Sequence, residues 1–575
     1  MAIDVRTFSR SAISLCFIAY ILHHVDRTAA SKEKTDYGAI LVIKRVDRAF
    51  ESLNRIIADL EWRTLRNHSD VPLEIYVYFV QLKLKWRNTW CAKLTNLWYH
   101  EISVNKEFLR FLCSGPKYTT DMAKRIIIIN ERLSSTYSSA RICKVENFKQ
   151  NCYNGESDVV KLMATSRNEG ELRWAWTAWR NHMSHTKELF KHLVDLQNTA
   201  ARRNGYADIG EYWRGEFDIP NLEEVFEDMY KRVESLYRLL HAVVRFRLAK
   251  LYPDIVDLSL PIPAHLLGNL WSQSWEALID IILPDLTSSP TNALGQEHYS
   301  VTKLVKTAEE FYVSLGFPPL TREFWSNSVF RQDTNKTSSC HATAVNMYKK
   351  NDFRIFACLE TKQLQDLDVI YHELGHVQYY MAYQNQPLLF KNGINSAFHE
   401  SIGDAVSYGA ASFRHVQRLG LIRNEFTSSA NFSHAKSRSQ KSPEMVALLR
   451  QALIKIPQIA SGLIIDKWRW SVFSGRTKPS KYNASWWDLH RRYMGVVPPS
   501  PRSEEFFDPA AKFHVAHNIP YAGYFLGNFL QVQLFQGMCE ASQGSKPGLV
   551  AFNSSLHGCD IYGSKDAGKF LRSRI

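Results

Sequence analysis

The sequence predicts an all-α, mostly helical protein with few short strands, and three observations carry that expectation. Apolar residues recur at helical spacing: in NLEEVFEDMYKRVESLYRLL (221–240) they fall at 222, 225, 226, 229, 233, 236 and 240, which puts them on one face of a helix. Alternating strand patterns are scarce, and DFRIFACLE (352–360) is the best candidate. Composition is that of an ordinary globular chain, with 45% hydrophobic and 22% charged residues among 575, enough to bury a large core.

The elements follow from local chemistry. Asn221 with Glu224 reads as a helix N-cap and its N3 partner. The tryptophan-rich ELRWAWTAWRNHM and the later QVQLFQGMCEA are predicted helices as well. Neither internal repeats nor a long low-complexity linker interrupts the chain, so residues 31–575 are expected to form one domain.

Residues 1–30 read as a signal peptide. RTFSR supplies positive charge, SAISLCFIAYIL (11–22) an apolar run of twelve, and Ala29 and Ala30 a cleavage site. Twelve residues cannot span a bilayer, and no later consecutive run approaches the roughly 18 needed. A secreted, extracellular protein without a transmembrane anchor is therefore expected. Of nine cysteines, Cys16 leaves with the signal peptide; an even remainder in a secreted chain favours disulfides. Close spacing suggests the loops Cys143–Cys152, Cys340–Cys358 and Cys539–Cys559, although spacing alone leaves connectivity open, and Cys91 and Cys113 form either a further bridge or free thiols. Glycosylation sequons stand at Asn67, Asn335, Asn431, Asn483 and Asn553. The formal net charge is +14, but Lys and Arg are scattered, with no dense basic block or aromatic RNA-binding signature, so no nucleic-acid partner is expected.

YHELGHVQYY (371–380) carries the chemistry. On a helix His372 and His376 lie one turn apart on one face and can reach a single ion, with Glu373 beside them to take a proton from a water held there. Given 20 histidines, chance supplies only about 0.03 such patterns in a chain of this composition. Catalytic zinc takes three protein ligands and leaves a fourth position open. A third His within the same motif is excluded, because Tyr379 and Ala382 occupy the positions it requires. AFHESIGDA (397–405) instead offers Glu400 and, one turn on, Asp404; one of them can bind metal while the other orients a ligating imidazole.

HELGHVQYY, FHESIGD, CHATAVNMYKKNDFRIFAC, IPAHLLGNLWSQSW, LMATSRNEGELRWAWTAWR and KFHVAHNIPYAGYF occur here in one order. Together they resemble the angiotensin-converting enzyme family, zinc peptidyl-dipeptidases of the M2 type. The likeness runs from about Cys143 to near the C-terminus and is weak over 31–140. It implies a helical ellipsoid of two subdomains around a deep central groove, with lid helices in the divergent 31–140 region. The implied reaction removes C-terminal dipeptides from oligopeptides with a free C-terminus, by a monomer. It assigns His372, His376 and Glu400 as zinc ligands, Asp404 as the partner of a ligating imidazole, and Glu373 as general base and then acid. Gln273, Lys512 and Tyr521 match the family's carboxylate-binding trio, and a cation with two neutral donors suits that task. His514 and Tyr524 match its oxyanion donors, and His341, Ala342 and Ala344 the segment beside the scissile bond. The three close cysteine pairs match family disulfides.

Departures from the pattern concern chloride. Arg180 and Trp486 match the first anion site of the family, but His490 stands where a second arginine belongs. Phe217 and Gly523 replace the tyrosine and arginine of the second site. Chloride dependence is therefore expected to be weak or absent. Leu374 replaces a methionine within the zinc motif, a conservative change. The chain also ends sooner after CDIYGSKDAGKFLRSRI than domains of this family do. The expected function is a secreted zinc-dependent peptidyl-dipeptidase. A catalytically inactive binding protein or decoy on the same fold, and a carboxypeptidase releasing one residue, are the alternatives.

Overall fold

Helices take up most of the chain, as the three- and four-residue spacing of its apolar side chains predicts. The computed structural model describes residues 36–67, 70–100, 106–146, 149–284, 300–330, 342–359, 364–387, 390–420, 443–544 and 556–575; the expected signal peptide lies outside them.

Helices α1 (Asp36–Arg66) and α2 (Leu73–His100) open the described chain and stack Phe50 on Trp86, ring centroids 5.3 Å apart. Cys91 is disulfide-bonded to Cys113, which resolves the alternative left open for that pair. The first of two short antiparallel hairpins among the described residues joins β1 (Arg141–Glu146) to β2 (Lys149–Asn154), with Cys143 opposite Cys152 and bonded to it. Its residues are mostly polar, so no apolar alternation announced these strands. Helix α3 spans Thr120–Ser138, and the tryptophan-rich stretch forms α4 (Glu169–Met183). Asn168 caps it, accepting from the Glu171 N–H at 3.0 Å.

Helix α5 (Leu222–Leu251) corrects two expectations. Asn221 precedes it in a left-handed conformation (φ 53°) and makes no side-chain cap. Its own carbonyl accepts from the N–H groups of Glu224 and Val225 instead. The buried face runs through Phe226, Tyr230, Tyr237, Val244 and Leu248, whereas Leu236, assigned to it by periodicity, is half exposed. DFRIFACLE supplies a strand as anticipated, β4 (Asp352–Phe356), which ends at Phe356 and pairs antiparallel with a strand not anticipated, β3 (Thr343–Lys349). Helix α1 lies against it: Trp62 meets Phe356 edge-on, and Arg55 Nε donates to the Tyr348 carbonyl at 3.3 Å.

Four more helices build the site: α6 (Leu364–Tyr383), α7 (Ser396–Ala410), α8 (Pro443–Phe473) and α9 (Ala522–Ser542). The apolar side chains gather into two main cores. One surrounds Trp176 and Trp179 from α4, Trp468 and Trp470 from α8 and Trp275 from the loop beyond α5; the other surrounds Phe311, Tyr371, Leu374 and Ile402 from α6, α7 and the helix Val301–Ser314. Helix α9 serves both, sending Phe525 into the first and Phe535 and Met538 into the second. Among the described residues one helix, Glu444–Phe473, is long and apolar enough by composition to cross a membrane. Its Leu463, Ile464, Trp468 and Trp470 are buried in the first core.

Candidate active site

Helices α6 and α7 cross at two glycines. A Cβ on Gly375 would stand 2.2 Å from Gly403 Cα, and one on Gly403 2.3 Å from the His372 carbonyl oxygen. Only backbones without side chains approach so closely. The crossing brings the imidazoles of α6 and the carboxylates of α7 to one point. His372 Nε2 and His376 Nε2 are 3.1 Å apart, and Glu400 Oε2 lies 3.3 Å from the first and 3.8 Å from the second. Donors about 2.0–2.1 Å from one tetrahedral ion stand roughly 3.3 Å apart, so the three fit a single small cation. Glu400 Oε2 is buried with no hydrogen-bond partner, as a ligand atom facing a metal would be.

The imidazoles are held from behind. His372 Nδ1 meets Asp404 Oδ1 at 2.9 Å, and Lys455 from α8 donates to Asp404 Oδ2 at 2.9 Å and to Gln531 at 3.1 Å. His376 Nδ1 meets His399 Nδ1 at 2.6 Å. Burial pushes His376 down to about 3, leaving the neutral ring that metal ligation needs. Burial alone would raise Glu400, but His372, whose Nε2 lies 3.3 Å from its Oε2, and the other neighbouring imidazoles hold it at about 2. Glu373 is buried beside them with Oε2 unpartnered, and burial pushes it up to about 7 against the pull of His372. A carboxylate near neutrality can take a proton and give it back.

Across from the triad stand side chains from the first core. His514 Nε2 meets the Tyr524 hydroxyl at 3.2 Å, and Tyr524 also hydrogen-bonds Glu400. Tyr521 lies against both, its ring centroid 4.6 Å from each. Lys512 Nζ donates to Gln273 Oε1 at 2.5 Å and lies 5.0 Å from the Tyr521 centroid. Sequence separation between Gln273 and Lys512 is 239 residues, yet the fold sets the two in contact. Ala344 lies on β3, where its carbonyl accepts from the Tyr380 hydroxyl of α6 at 3.3 Å, and Ala342 packs beside the second core. His341 lies outside the described residues.

Sequence reasoning missed a buried pair behind this wall. Asp466 and Arg469 are almost wholly inaccessible. Asp466 Oδ2 accepts from the N–H groups of Tyr521 and Ala522, each at 2.6 Å, at the start of α9. Its Oδ1 accepts from Arg469 Nε at 2.6 Å, and Arg469 Nη1 donates to the His514 carbonyl at 3.2 Å. The pair thus holds the backbones of both Tyr521 and His514. Two charges three residues apart in the apolar IIDKWRW were the available signal, since buried charges need partners. Lys455 and His399 were missed too.

The residues read as anion ligands sit beside Lys512. Arg180 is buried, its guanidinium 3.7 Å above the Trp176 ring and donating to the Leu270 carbonyl at 2.9 Å. Arg180, Trp486, His490, Gln273 and Lys512 line a cavity of about 20 Å³. Burial pushes His490 down to about 4, so it is uncharged near neutral pH, and its Nδ1 meets the Trp486 carbonyl at 2.8 Å. Phe217 is buried in the first core. A Cβ on Gly523 would meet Ser396 Oγ at 2.5 Å, so α7 occupies the space an arginine side chain would take.

Of the cysteines, Cys539 is bonded to Cys559, while Cys358 is disulfide-bonded and Cys340 lies outside the described residues. The sequon at Asn483 is corrected. Its side chain is fully buried, donating to the Ser503 carbonyl at 3.1 Å and accepting from the Asp508 N–H at 2.8 Å, which leaves no room for a glycan. Asn67 is half-buried; Asn335, Asn431 and Asn553 lie outside the described residues.

Residues 79–575 match the family profile of peptidase M2, described as angiotensin-converting enzyme. Among curated proteins, the chain is 38% identical over 446 residues to the angiotensin-converting enzyme of Bos taurus, covering 76% of this chain and 32% of that protein. It is 38% identical over 445 residues to the angiotensin-converting enzyme-like protein Ace3 of Mus musculus, of which 57% is covered. To the angiotensin-converting enzyme of Theromyzon tessulatum it is 37% identical over 452 residues, covering 77% of this chain and 70% of that one. The chain thus spans about a third of the bovine protein's length and just over half of the murine one's.

Proposed function

Since the chain belongs to the angiotensin-converting enzyme family, we propose that it is a secreted zinc peptidyl-dipeptidase that removes C-terminal dipeptides from oligopeptides. The observation that carries this reading is the convergence of His372, His376 and Glu400 opposite His514 and Tyr524, with Glu373 between them in sequence and buried.

Residues 31–575 act as one catalytic domain and a monomer once residues 1–30 are removed. His372, His376 and Glu400 would hold zinc, which when bound would supply Lewis acidity and lower the pKa of a water at the site. Asp404 fixes the tautomer and orientation of His372. Lys512, Gln273 and Tyr521 take the substrate's terminal carboxylate, which sets the scissile bond at a fixed distance from the triad. Ala342 and Ala344 line the chain of the substrate on the other side. Glu373 accepts the proton of the attacking water and returns it to the leaving amine. Tyr524 and His514 donate to the oxyanion that develops on the carbonyl oxygen.

Chloride activation is weak or absent. In support, His490 is uncharged and Arg180 is already stacked and hydrogen-bonded. Position 523 has no space for a cation. Activity across a chloride titration with an inert counterion tests this; strong activation would contradict it.

The function itself is tested by incubating an N-terminally blocked tripeptide and weighing the products. Release of a C-terminal dipeptide, abolished by a chelator and by Glu373→Ala, supports the proposal. Retained zinc without turnover indicates the inactive binding protein instead, and release of one residue the carboxypeptidase.

A further inference from the structure

Helix α5 has two apolar faces. Tyr237, Leu240, Val244 and Leu248 pack into the first core. On the outside Leu236, Leu239, Val243 and Phe246 recur at spacings of three and four residues, exposed by 51, 68, 47 and 47%. In the loop that follows, Leu258 and Leu260 are 53 and 57% exposed, and Arg245 Nη1 donates to the Leu260 carbonyl at 3.1 Å, which ties this loop alongside the helix. Of the sixteen exposed large apolar side chains among the described residues, eight fall between positions 236 and 260. Such clustering marks an interaction surface rather than scattered exposure.

Charge says what the surface meets. From Ser235 to Pro253 there is no Asp or Glu, and the cations are Arg238, Arg245, Arg247 and Lys250. Glu234 pairs with Arg238 at 2.7 Å, and the loop carries two exposed carboxylates, Asp254 and Asp257, the second bonded to the Ser259 N–H at 2.7 Å. Among the described residues Arg247 and Lys250 have no carboxylate within ion-pair distance, and Lys250 Nζ lies 4.5 Å from the Phe246 centroid. A two-fold contact between copies would set these cations near their own images, so the charge disfavours self-pairing. Leu and Phe flanked by unpaired Arg and Lys are what an interfacial helix presents to acidic lipid.

We propose that this patch docks the protein on an anionic membrane surface. Leu236, Leu239, Val243 and Phe246 enter the boundary between headgroups and acyl chains, while Arg247 and Lys250 meet headgroup phosphates. Nothing spans the bilayer in this arrangement, and it does not depend on the catalytic reading.

The test is co-sedimentation of the full secreted chain with phosphatidylcholine vesicles, with and without phosphatidylserine. Binding is expected only to the phosphatidylserine vesicles and weakens as salt is raised. Leu239→Ser and Phe246→Ser each weaken it roughly ten-fold, and Arg247→Glu with Lys250→Glu abolishes it. All leave the melting temperature unchanged, because Leu239, Phe246 and Lys250 are exposed and Arg247 is only partly buried, with no ion pair to lose. Absence of phosphatidylserine-dependent binding, or binding indifferent to every substitution, overturns the proposal. A dimer in velocity sedimentation that Phe246→Ser turns into monomer, without vesicle binding, overturns it in favour of a second copy.

Discussion

Gly375 and Gly403 meet where two helices cross, close enough that a Cβ on the first would stand 2.2 Å from the Cα of the second. That contact sets the distance between the histidines of one helix and the carboxylates of the other. Gly403→Ala forces the helices apart, and overpacking of this kind costs about 1–3 kcal/mol, occasionally more. The variant is expected to melt at lower temperature and to retain less zinc after dialysis, measured by calorimetry and elemental analysis.

Asp404 acts through His372. Asp404→Ala leaves all three proposed ligands in place but frees the imidazole of His372, so zinc affinity should fall roughly 10–100-fold. Competition with a chromogenic chelator reads this directly. Lys455→Met, which removes the cation bonded to Asp404 at 2.9 Å, is expected to weaken zinc binding in the same direction.

Asp466 and Arg469 form a pair whose halves depend on each other. Arg469→Met leaves a buried, uncompensated carboxylate, and breaking such a pair costs about 3–5 kcal/mol. Replacing both, with Asp466→Leu and Arg469→Met together, should recover part of that loss in denaturant unfolding. It should not recover activity, because the N–H groups of Tyr521 and Ala522 then lose their acceptor.

Lys512 gives the site a pH limit. Burial pushes its ammonium down to about 7, with Glu156 opposing. The charged form, which the substrate carboxylate needs, is present below that value and lost above it. KM is therefore expected to rise as pH passes upward through about 7, and Lys512→Arg, charged at every working pH, should flatten that rise. Steady-state kinetics across pH checks both.

The residues that carry chemistry were legible because their spacing is local and their types are rare: His372, His376, Glu400 and Asp404 lie within 33 positions. Their supports were not. Asp466 and Arg469 look like any helical i, i+3 ion pair until burial is known, and Lys455 meets Asp404 only through the packing of α8 on α7. Periodicity identified α5 but mistook Leu236 for core, since a helix apolar on both sides offers no contrast between them. The hairpin Arg141–Asn154 was hidden by its polar composition, and the buried amide of Asn483 by a sequon that says nothing about burial. Asn221 shows a similar limit: a residue at the cap position need not cap when its backbone turns left-handed.

The most direct measurement is mass identification of the products from an N-terminally blocked tripeptide incubated with the zinc-loaded chain and with Glu373→Ala. Release of the C-terminal dipeptide by the first and none by the second is the predicted result. No turnover by the zinc-loaded chain, or cleavage that survives Glu373→Ala, would contradict the account.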